Sequence, residues 1–305
     1  MNSEKKKGLM RDKKLFLFIL PVVLYVFITS YLPLWGWSFG FVRYKPGRNL
    51  FDCDFAGLEY FKGLFGNVVM RRNLVRVLKN TFGIHFLGYI FSPLPLLFAV
   101  FLSEIRSKKF QKVVQTVTTL PNFISWVIMY TLARAIVGTN GALNIILHNL
   151  GSDLTINVLN SSEHVWLTQV VLQTWKKLGW DAIVYFAAIA GINQDLYEAA
   201  MVDGATKMQR IWYITLPNLI PTYFTLIIIG IGNFLSTGVN QYLVFCNALN
   251  KDYIETLDLY VYNIGIGGGQ ISYSVAVGIM KTAVALVLFA SANYASKKVR
   301  GSSVF

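Results

Sequence analysis

The stretch "YEAAMVDGATKMQRIWYITLP", Tyr197–Pro217, is a polar and charged segment between two long apolar ones. The apolar neighbours run from about Val165 to Ile192 and from Asn218 to Thr237. Each is long enough to cross a bilayer as a helix, because about 20 apolar residues span the hydrocarbon core. A short helix between two spans either lies in a groove on a partner protein or packs on its own bundle. The pattern alone leaves both interpretations open.

The composition indicates an integral membrane protein. The chain has 305 residues, of which 54% are hydrophobic and 14% are charged, and its mean hydropathy is +0.49. A soluble domain carries about a quarter charged residues. The net charge of +13 would suit a nucleic-acid partner, but the apolar content argues against one, and membrane proteins concentrate Lys and Arg in cytoplasmic loops. Two cysteines, Cys53 and Cys246, are too few for a disulfide framework.

Six apolar runs predict an all-α polytopic membrane protein with a six-helix bundle. The first run is too long for a signal-peptide core and no small-residue cleavage site follows it, so we expect a retained anchor. The predicted domain is residues 15–294, with the loop 193–217 between spans four and five and with tails at 1–14 and 295–305. The approximate runs are Leu15–Phe41, Thr81–Leu102, Val113–Val137, Val165–Ile192, Asn218–Thr237 and Tyr273–Tyr294. Pro121 predicts a bend in the third.

The distribution of Lys and Arg favours cytoplasmic N- and C-termini. Basic clusters precede the first span, separate the second from the third, and follow the sixth. The first outer connection is basic too, and its stretch "LEYFKGLFGNVVMRRNLVRVLKN", residues 58–80, mixes apolar and basic residues at helical spacing. This stretch predicts either an amphipathic helix at the membrane surface or a helix packed on the flank of the bundle.

Within the opening stretch, Asp195 is the expected N-cap, and Glu198 three residues later completes a capping-box pattern. A glycine inside a helix costs about 1 kcal/mol relative to alanine, so Gly204 predicts a bend or a close approach of another backbone. The apolar residues are spaced to share one helical face. These residues are Met201, Ala205, Met208 and Trp212.

The stretch resembles the EAA loop of the permease subunits of type I ABC importers, a binding-protein-dependent family. The family pattern is Glu-Ala-Ala, three residues, Gly, nine residues, Ile, one residue and Leu-Pro. In that family the loop is the coupling helix that docks on a cytoplasmic ATPase, so the resemblance implies an ATPase-coupling role here. It assigns that role to Glu198, Ala199, Ala200, Asp203, Gly204, Ile214, Leu216 and Pro217.

Other stretches are similar to the permeases that import complex oligosaccharides and polysaccharides. They include "LPNFISWVI" at 120–128, "GWDAIVYFAAIAGI" at 179–192 and "GQISYSVAVGIMKTAVALVL" at 269–288. The resemblance implies a multi-pass subunit of the cytoplasmic membrane that forms a heterodimer with a second homologous permease. It also implies two ATPase subunits, an extracytoplasmic solute-binding protein and an oligosaccharide substrate.

The chain has no motif that would make it an enzyme. It lacks G-x-x-x-x-G-K-[ST], the loop that cradles nucleotide phosphates, so ATP and Mg would be bound by partner subunits. It has no H-E-x-x-H and no cysteine cluster, so we expect no metal site, cofactor or catalytic residue in this chain.

Polar residues inside spans are costly and often line a transport path. Sugars need amide and hydroxyl partners and aromatic faces, which gives six candidate path residues. They are Lys176, Asp181, Asn233, Asn240, Gln241 and Tyr242. Lys177 lies four residues before Asp181 and is placed to pair with it. For each candidate, snorkelling or hydrogen bonding between helices is the competing interpretation.

Three other functions are weighed against this one. An ion-coupled secondary transporter needs acids within the membrane, and Asp181 is the only one placed well inside a span. An ABC permease for a non-sugar solute would share every coupling feature. A membrane-embedded enzyme needs a catalytic pair in the spans, and no acid pair or Ser/His motif stands out.

Overall fold

The computed structural model describes residues 15–300, except for the side chains at 295, 296, 299 and 300. The predicted inner tail at 1–14 and positions 301–305 of the predicted C-terminal tail lie outside the described residues. All regular elements of the described chain are helices, and its β structure is one isolated antiparallel bridge between Val42 and Phe55. The all-α fold class is therefore confirmed.

The helices vary in length from one turn to about eight turns. Several continue directly from a short 3₁₀ or π turn, at Leu120–Phe123, Ile211–Thr215 and Asn263–Gly267. In chain order the helices are α1 (Leu15–Phe41), α2 (Glu59–Gly66), α3 (Val68–Phe91), α4 (Pro93–Ser103), α5 (Lys108–Thr119), α6 (Trp126–Val137), α7 (Ala142–Asn149), α8 (Val165–Ala190), α9 (Gln194–Val202), α10 (Lys207–Arg210), α11 (Leu216–Gly232), α12 (Asn240–Phe245), α13 (Lys251–Ile254), α14 (Leu257–Tyr262) and α15 (Ile271–Arg300).

Four helical runs in the described chain are long and apolar enough to cross a membrane: α1, α3 with α4, α10 with α11, and α15 as far as Tyr294. A fifth is the bent pair formed by α5 and α6 with their flanking turns. Helix α8 has 26 residues, about 39 Å, which exceeds the hydrocarbon core of about 30 Å. It is more polar than the others because it carries Lys176, Lys177 and Asp181. A sixth span at α8 therefore stays a prediction.

The predicted bend at Pro121 is confirmed, and it is a complete break. The helical runs on either side of it meet at 108°. The break leaves backbone carbonyls without helical partners, and the buried Lys176 of α8 supplies them. Its ammonium donates to the carbonyl oxygens of Pro121, Asn122 and Ile124 at 2.8, 2.8 and 2.5 Å. The bent geometry is thus held by a side chain of another helix.

Helix α8 also touches the backbone of α5 directly. A Cβ atom at Gly179 would collide with the backbone of Thr118, so only glycine permits this helix crossing. The crossing brings Lys176, one turn earlier on α8, to the break after α5. The close approach explains why residue 179 is a glycine.

The structure of the basic stretch at 58–80 contradicts one of its two predicted arrangements. Helix α3 runs from its first residue into the apolar part without interruption, so a separate surface helix is wrong for residues 68–80. This part packs on the bundle instead. Asn80 is buried and donates to the carbonyls of Asp252 and Glu255 at 2.9 and 3.1 Å, and Arg76 pairs with the carboxylates of the same two residues.

The chain forms two compact units. The first contains the residues up to Asn67 and Asn263–Met280, and the second contains Val68–Tyr262 and the chain from Lys281. In the first unit the end of α1 fits closely against α15, since a Cβ at Gly40 would lie 3.2 Å from the side chain of Ile279.

The second unit has two apolar clusters, and α8 contributes to both. One joins α8 to α3 and α12–α14, with Val170, Tyr242 and Leu259 fully buried. The other joins α8 to α4 and to the start of α11, with Ala182 and Leu219 fully buried. Helix α8 is therefore the common support of the coupling segment and of the cavity described below.

Candidate coupling surface and translocation cavity

The segment at 193–217 begins with a cap that differs from the prediction. Asn193 is the N-cap of α9, and its side-chain oxygen accepts from the amide of Asp195 at 3.0 Å. Asp195 therefore lies in the first turn, where its charge complements the helix dipole, and the predicted capping box of Asp195 and Glu198 is wrong. The capping box forms at α10 instead, between Thr206 and Gln209.

Gly204 ends α9 and turns the chain. Its φ is +77°, and the amides of Gly204 and Ala205 bond to the carbonyls of Met201 and Ala200, which is the Schellman arrangement. The predicted bend is confirmed, but no atom lies within 4 Å of a Cβ placed at Gly204, so the predicted close approach is not observed. The single apolar face is also wrong, since its four residues lie in turn on α9, in the turn after it, on α10 and in the π turn that follows. They are Met201, Ala205, Met208 and Trp212.

Helix α9 buries none of its side chains. Val202 is 88% exposed, the highest exposure of the large apolar side chains in the described chain, and Met201 and Met208 are more than half exposed. We call eight exposed residues of α9, of the Gly204 turn and of α10 the coupling surface. They are Leu196, Glu198, Ala199, Met201, Val202, Asp203, Gly204 and Met208.

The Ile-x-Leu-Pro part of the motif lies in a π turn and at the start of α11. Pro217 has no amide hydrogen, and the helix before it is a π turn over Ile211–Thr215, in which the amide of Leu216 bonds to the carbonyl of Ile211. The side chain of Asn218 donates to the carbonyl of Ile214 at 2.7 Å. The motif's Ile-x-Leu-Pro therefore marks a widened turn at the entry to an apolar helix.

Two polar contacts fasten the coupling segment to the bundle. The hydroxyls of Tyr197 on α9 and Thr215 in the π turn lie 2.9 Å apart. The ammonium of Lys207 lies 3.4 Å from the carbonyl of Glu104, after α4. Ile211 packs in the apolar cluster that includes α4 and α8. A displacement of α9 would therefore be transmitted to α11 and α4.

A cavity of about 450 Å³ lies in the second unit, among α3, α4, α8, α11 and α12. Its wall combines tyrosine rings with amide, hydroxyl, imidazole and charged side chains. The polar and aromatic lining residues are His85, Tyr89, Phe91, Ser92, Gln173, Thr174, Lys177, Asp181, Tyr185, Tyr223, Asn233, Ser236, Thr237 and Tyr242. We refer to this space as the cavity.

Three of the six predicted path residues line the cavity: Asp181, Asn233 and Tyr242. Lys176 does not, because its ammonium holds the break after α5. Gln241 is buried away from the cavity.

Gln241 donates to both the backbone carbonyl and the side-chain oxygen of Gln169, each at 3.0 Å, so it links α12 to α8. Asn240 is exposed at the start of α12 and is not part of the lining. The path role of all six residues stays a prediction.

Sequence reasoning missed most of the cavity wall. Gln173, Thr174, Lys177 and Asp181 follow one another along a single face of α8, and a polar stripe at helical spacing inside a span would have revealed them. The tyrosines had no such signal, because aromatic residues occur throughout the spans.

One tyrosine of the cavity wall, Tyr223, contacts a residue that is distant in the sequence. The hydroxyl of Tyr223 lies 2.8 Å from that of Ser92, which also donates to the carbonyl of Tyr89 at 2.8 Å. These contacts fix the polar edge of the cavity between α3, α4 and α11.

Lys281, another basic residue of a predicted span, has a structural partner. It pairs with Asp258 of α14, and the second carboxylate oxygen of Asp258 accepts from the amide of Gly238 at 2.9 Å. Both charged side chains are largely buried. A paired and hydrogen-bonded charge avoids most of the cost of leaving water, so this contact connects α15, α14 and the loop before α12.

A second cavity, of about 650 Å³, lies beside α6 and includes Arg134, Tyr130 and Asn160. Cys53 and Cys246 are free thiols, and burial raises the pKa of Cys246 above its usual value. No group of three His, Cys, Asp or Glu side chains within residues 15–300 has the arrangement of a metal site.

Comparison with known proteins gives consistent matches. Residues 92–301 match the family described as "Binding-protein-dependent transport system inner membrane component". Protein LplB of Bacillus subtilis (strain 168) is 36% identical over 300 residues, covering 98% of this chain and 93% of LplB. The polygalacturonan/rhamnogalacturonan transport system permease protein YteP of the same organism is 36% identical over 309 residues, covering 99% of this chain and 95% of YteP.

A solved structure matches over nearly the full length. It is a bacterial alginate ABC transporter in complex with an alginate pentasaccharide-bound periplasmic protein. The TM-score is 0.84 and the sequence identity is 32%, over 97% of this chain and 98% of the matched chain. The fold and the residue pattern therefore agree over almost the whole length.

Proposed function

This chain belongs to the family of binding-protein-dependent transport system inner membrane components, and from that premise we propose that it is the permease through which an ATP-driven importer moves an oligosaccharide. The observation that carries the proposal is the coupling surface. It holds the first part of the family motif, it is exposed, and its helix α9 is attached through Tyr197 to Thr215, the residue just before α11. Family membership disfavours an ion-coupled secondary transporter.

The coupling surface fits a protein partner on the cytoplasmic side. Its exposed apolar residues include Val202 and Met201, which are neighbours in the sequence of the acidic Glu198 and Asp203. A short helix with an exposed apolar face is a common form of insertion into a groove on another protein. We assign the groove to a cytoplasmic ATPase, which binds the ATP and Mg that this chain has no motif to hold.

Alternating access is the mechanism that follows. Closure of two ATPase subunits on ATP moves α9, and the contacts of α9 with the π turn carry that motion to α11 and α4, which form part of the cavity wall. A ligand shifts such an equilibrium only by its different affinity for the two states. The chain itself carries out no covalent chemistry.

The cavity fits a saccharide because tyrosine rings and amide, hydroxyl and charged groups meet in it. Two of the matched proteins are described as transporting polysaccharides, polygalacturonan/rhamnogalacturonan in one case and alginate in the other. The partners in the proposal are a second homologous permease, two ATPases and an extracytoplasmic binding protein. The location is the cytoplasmic membrane, with both termini inside.

The test is affinity purification of the tagged chain from its native membranes, with the co-purifying proteins identified by mass. We expect a second permease and an ATPase. The same preparation carrying Glu198→Ala should keep the second permease and lose the ATPase. A chain that purifies alone, in detergent that preserves a known importer of this family treated in parallel, would contradict the proposal.

A further inference from the structure

The second cavity lies where α6 ends and the predicted outer connection begins, and its wall is polar and basic. Its polar lining residues are Tyr130, Thr131, Arg134, Thr139, Asn140 and Asn160. No aspartate or glutamate is among the lining residues that the structure describes, so the guanidinium of Arg134 is the charge of this wall. The second cavity therefore favours an anion.

Buried side chains hold the backbone of this wall in place. The amide nitrogen of the buried Asn144 donates to the carbonyls of Gly138 and Thr139, each at 3.0 Å. The carbonyl of the buried Leu159 accepts from the side chain of Asn247 at 3.0 Å. The backbone of the wall is therefore fixed by contacts within the chain.

Three donors on this fixed wall are available to a ligand. The side chains of Arg134, Asn140 and Asn160 form no hydrogen bond or ion pair with any residue that the structure describes. Arg134 is exposed in the cavity, and a guanidinium presents its N–H donors in a planar fork that fits the oxygens of a phosphate. A phosphate group at Arg134 would also be within the same cavity as the two amides.

The face of α6 that lines the second cavity continues into exposed apolar side chains. Val127 and Ile128 lie about one turn before Thr131, and both are more than half exposed. Phe123, shortly before α6, is exposed as well. An anion that carries acyl chains matches both parts of this surface, because the chains would cover the apolar residues while the headgroup occupies the cavity.

We propose that the second cavity binds the headgroup of an anionic phospholipid of the outer leaflet, with the phosphodiester on Arg134. A phosphodiester carries a single negative charge, which one guanidinium balances, and charge-assisted hydrogen bonds are roughly twice as strong as neutral ones. This site is separate from the cavity and from the coupling surface, so the proposal does not depend on the transported solute.

The neutral groups of the wall favour a glycerol headgroup over an ethanolamine headgroup. The amides of Asn140 and Asn160 both donate and accept, so they fit hydroxyls. The ammonium of an ethanolamine headgroup would find no carboxylate among the described lining residues and would lie in the same cavity as the Arg134 guanidinium.

The experiment measures lipid binding to the chain, purified in detergent with the subunits that accompany it and stripped of lipid. The probes are phosphatidylglycerol, phosphatidylethanolamine with the same acyl chains, and glycerophosphoglycerol, which is the first headgroup without chains. Native mass spectrometry of titrated samples gives each affinity. Wild type is compared with Arg134→Gln and with Arg134→Lys, which keeps the charge. Arg72→Gln makes the same chemical change at an exposed position of α3 outside the second cavity.

We expect wild type to bind phosphatidylglycerol more tightly than the other two probes. Arg134→Gln should weaken the tightest phosphatidylglycerol binding about tenfold or more, while Arg134→Lys keeps most of it and Arg72→Gln equals wild type. Equal phosphatidylglycerol affinity in Arg134→Gln and Arg72→Gln would overturn the inference, as would equal binding of phosphatidylethanolamine or of the free headgroup.

The competing occupant of the second cavity is an acidic side chain of an extracytoplasmic binding protein. If Arg134→Gln keeps its lipid affinity and loses the binding protein, the second cavity belongs to that protein and the inference is overturned. None of these results affects the proposed function, which purification of the partner subunits tests separately.

Discussion

The coupling surface and the cavity wall leave opposite kinds of side chain accessible, apolar ones on α9 and α10 and polar ones between the apolar helices of the bundle. On the coupling surface, apolar side chains such as Val202 are exposed. On the cavity wall, polar side chains such as Lys177 and Asp181 line a space between apolar helices. We expect the accessible groups of both regions to be the ones that bind a partner or a solute. Lys176, which lies next to Lys177 but outside the cavity lining, has fixed hydrogen-bond partners and supports the fold.

This contrast predicts its largest effect at two neighbouring lysines. Lys176→Met leaves three carbonyls at the break after α5 without a donor, and each unsatisfied buried group costs about 1–3 kcal/mol. We expect loss of about 3 kcal/mol or more of stability and little folded protein, measured by thermal unfolding in detergent. Lys177→Met is the matched control, and it should unfold near the wild-type temperature. Equal stability of the two variants would contradict a structural role for Lys176.

The next largest effect is expected on the coupling surface. Val202→Asp places a carboxylate on its most exposed apolar position, which should weaken ATPase binding by about tenfold or more and stop uptake. Leu154→Asp is the control, because Leu154 is 72% exposed and lies outside the motif. Titration of the purified permease with the ATPase measures the affinity. Equal weakening by both changes would indicate a general charge effect.

A smaller effect is expected at the turn after α9. Gly204→Ala forces a side chain into a φ of +77°, at a cost of about 1–2 kcal/mol, and should fray the end of α9 and reduce coupled ATPase activity several-fold. Gly151 has a φ of +81° and similar free space, so Gly151→Ala carries the same strain away from the coupling surface. Activity lost only in Gly204→Ala supports the assignment, and activity retained in both would weaken it.

The smallest effect is expected at the polar edge of the cavity. Tyr223→Phe removes the 2.8 Å contact with the Ser92 hydroxyl but keeps the ring, so uptake should change by only a few-fold. Ser92→Ala and the double variant complete a cycle. If the cavity is the path, the two changes should be non-additive in the uptake rate. Additive effects would show that the contact is not coupled to transport.

The motif at 198–217 could be recognised in the sequence because its spacing is characteristic, and its coupling role stays a prediction. Five of the six spans and the bend at Pro121 could be predicted because apolar length and proline act locally, and the span at α8 stays a prediction. The capping arrangement was mispredicted because Asn193 and Asp195 are both good caps, and only the backbone conformation selects Asn193. The prediction of a single apolar face across α9 and α10 was wrong because Gly204 ends α9.

The cavity could be predicted only in part, because its wall is assembled from distant segments. Asp181, Asn233 and Tyr242 are in it, but nothing local distinguishes Lys176 from Lys177. One is turned to carbonyls freed by Pro121, some 55 residues earlier in the chain, and the other is turned to the cavity. The two lysines have different surroundings only because α8 crosses α5, and Gly179 permits that crossing.

The central claim is that the coupling surface binds an ATPase, and site-specific photo-crosslinking from position 202 tests it most directly. A photoreactive residue would replace Val202 in native membranes, with the same residue at position 154 as control. We predict that a cross-link to an ATP-binding protein forms from position 202 and not from 154, and that its yield changes when ATP is trapped. Cross-links from position 202 that reach only lipid or this same chain would contradict the account.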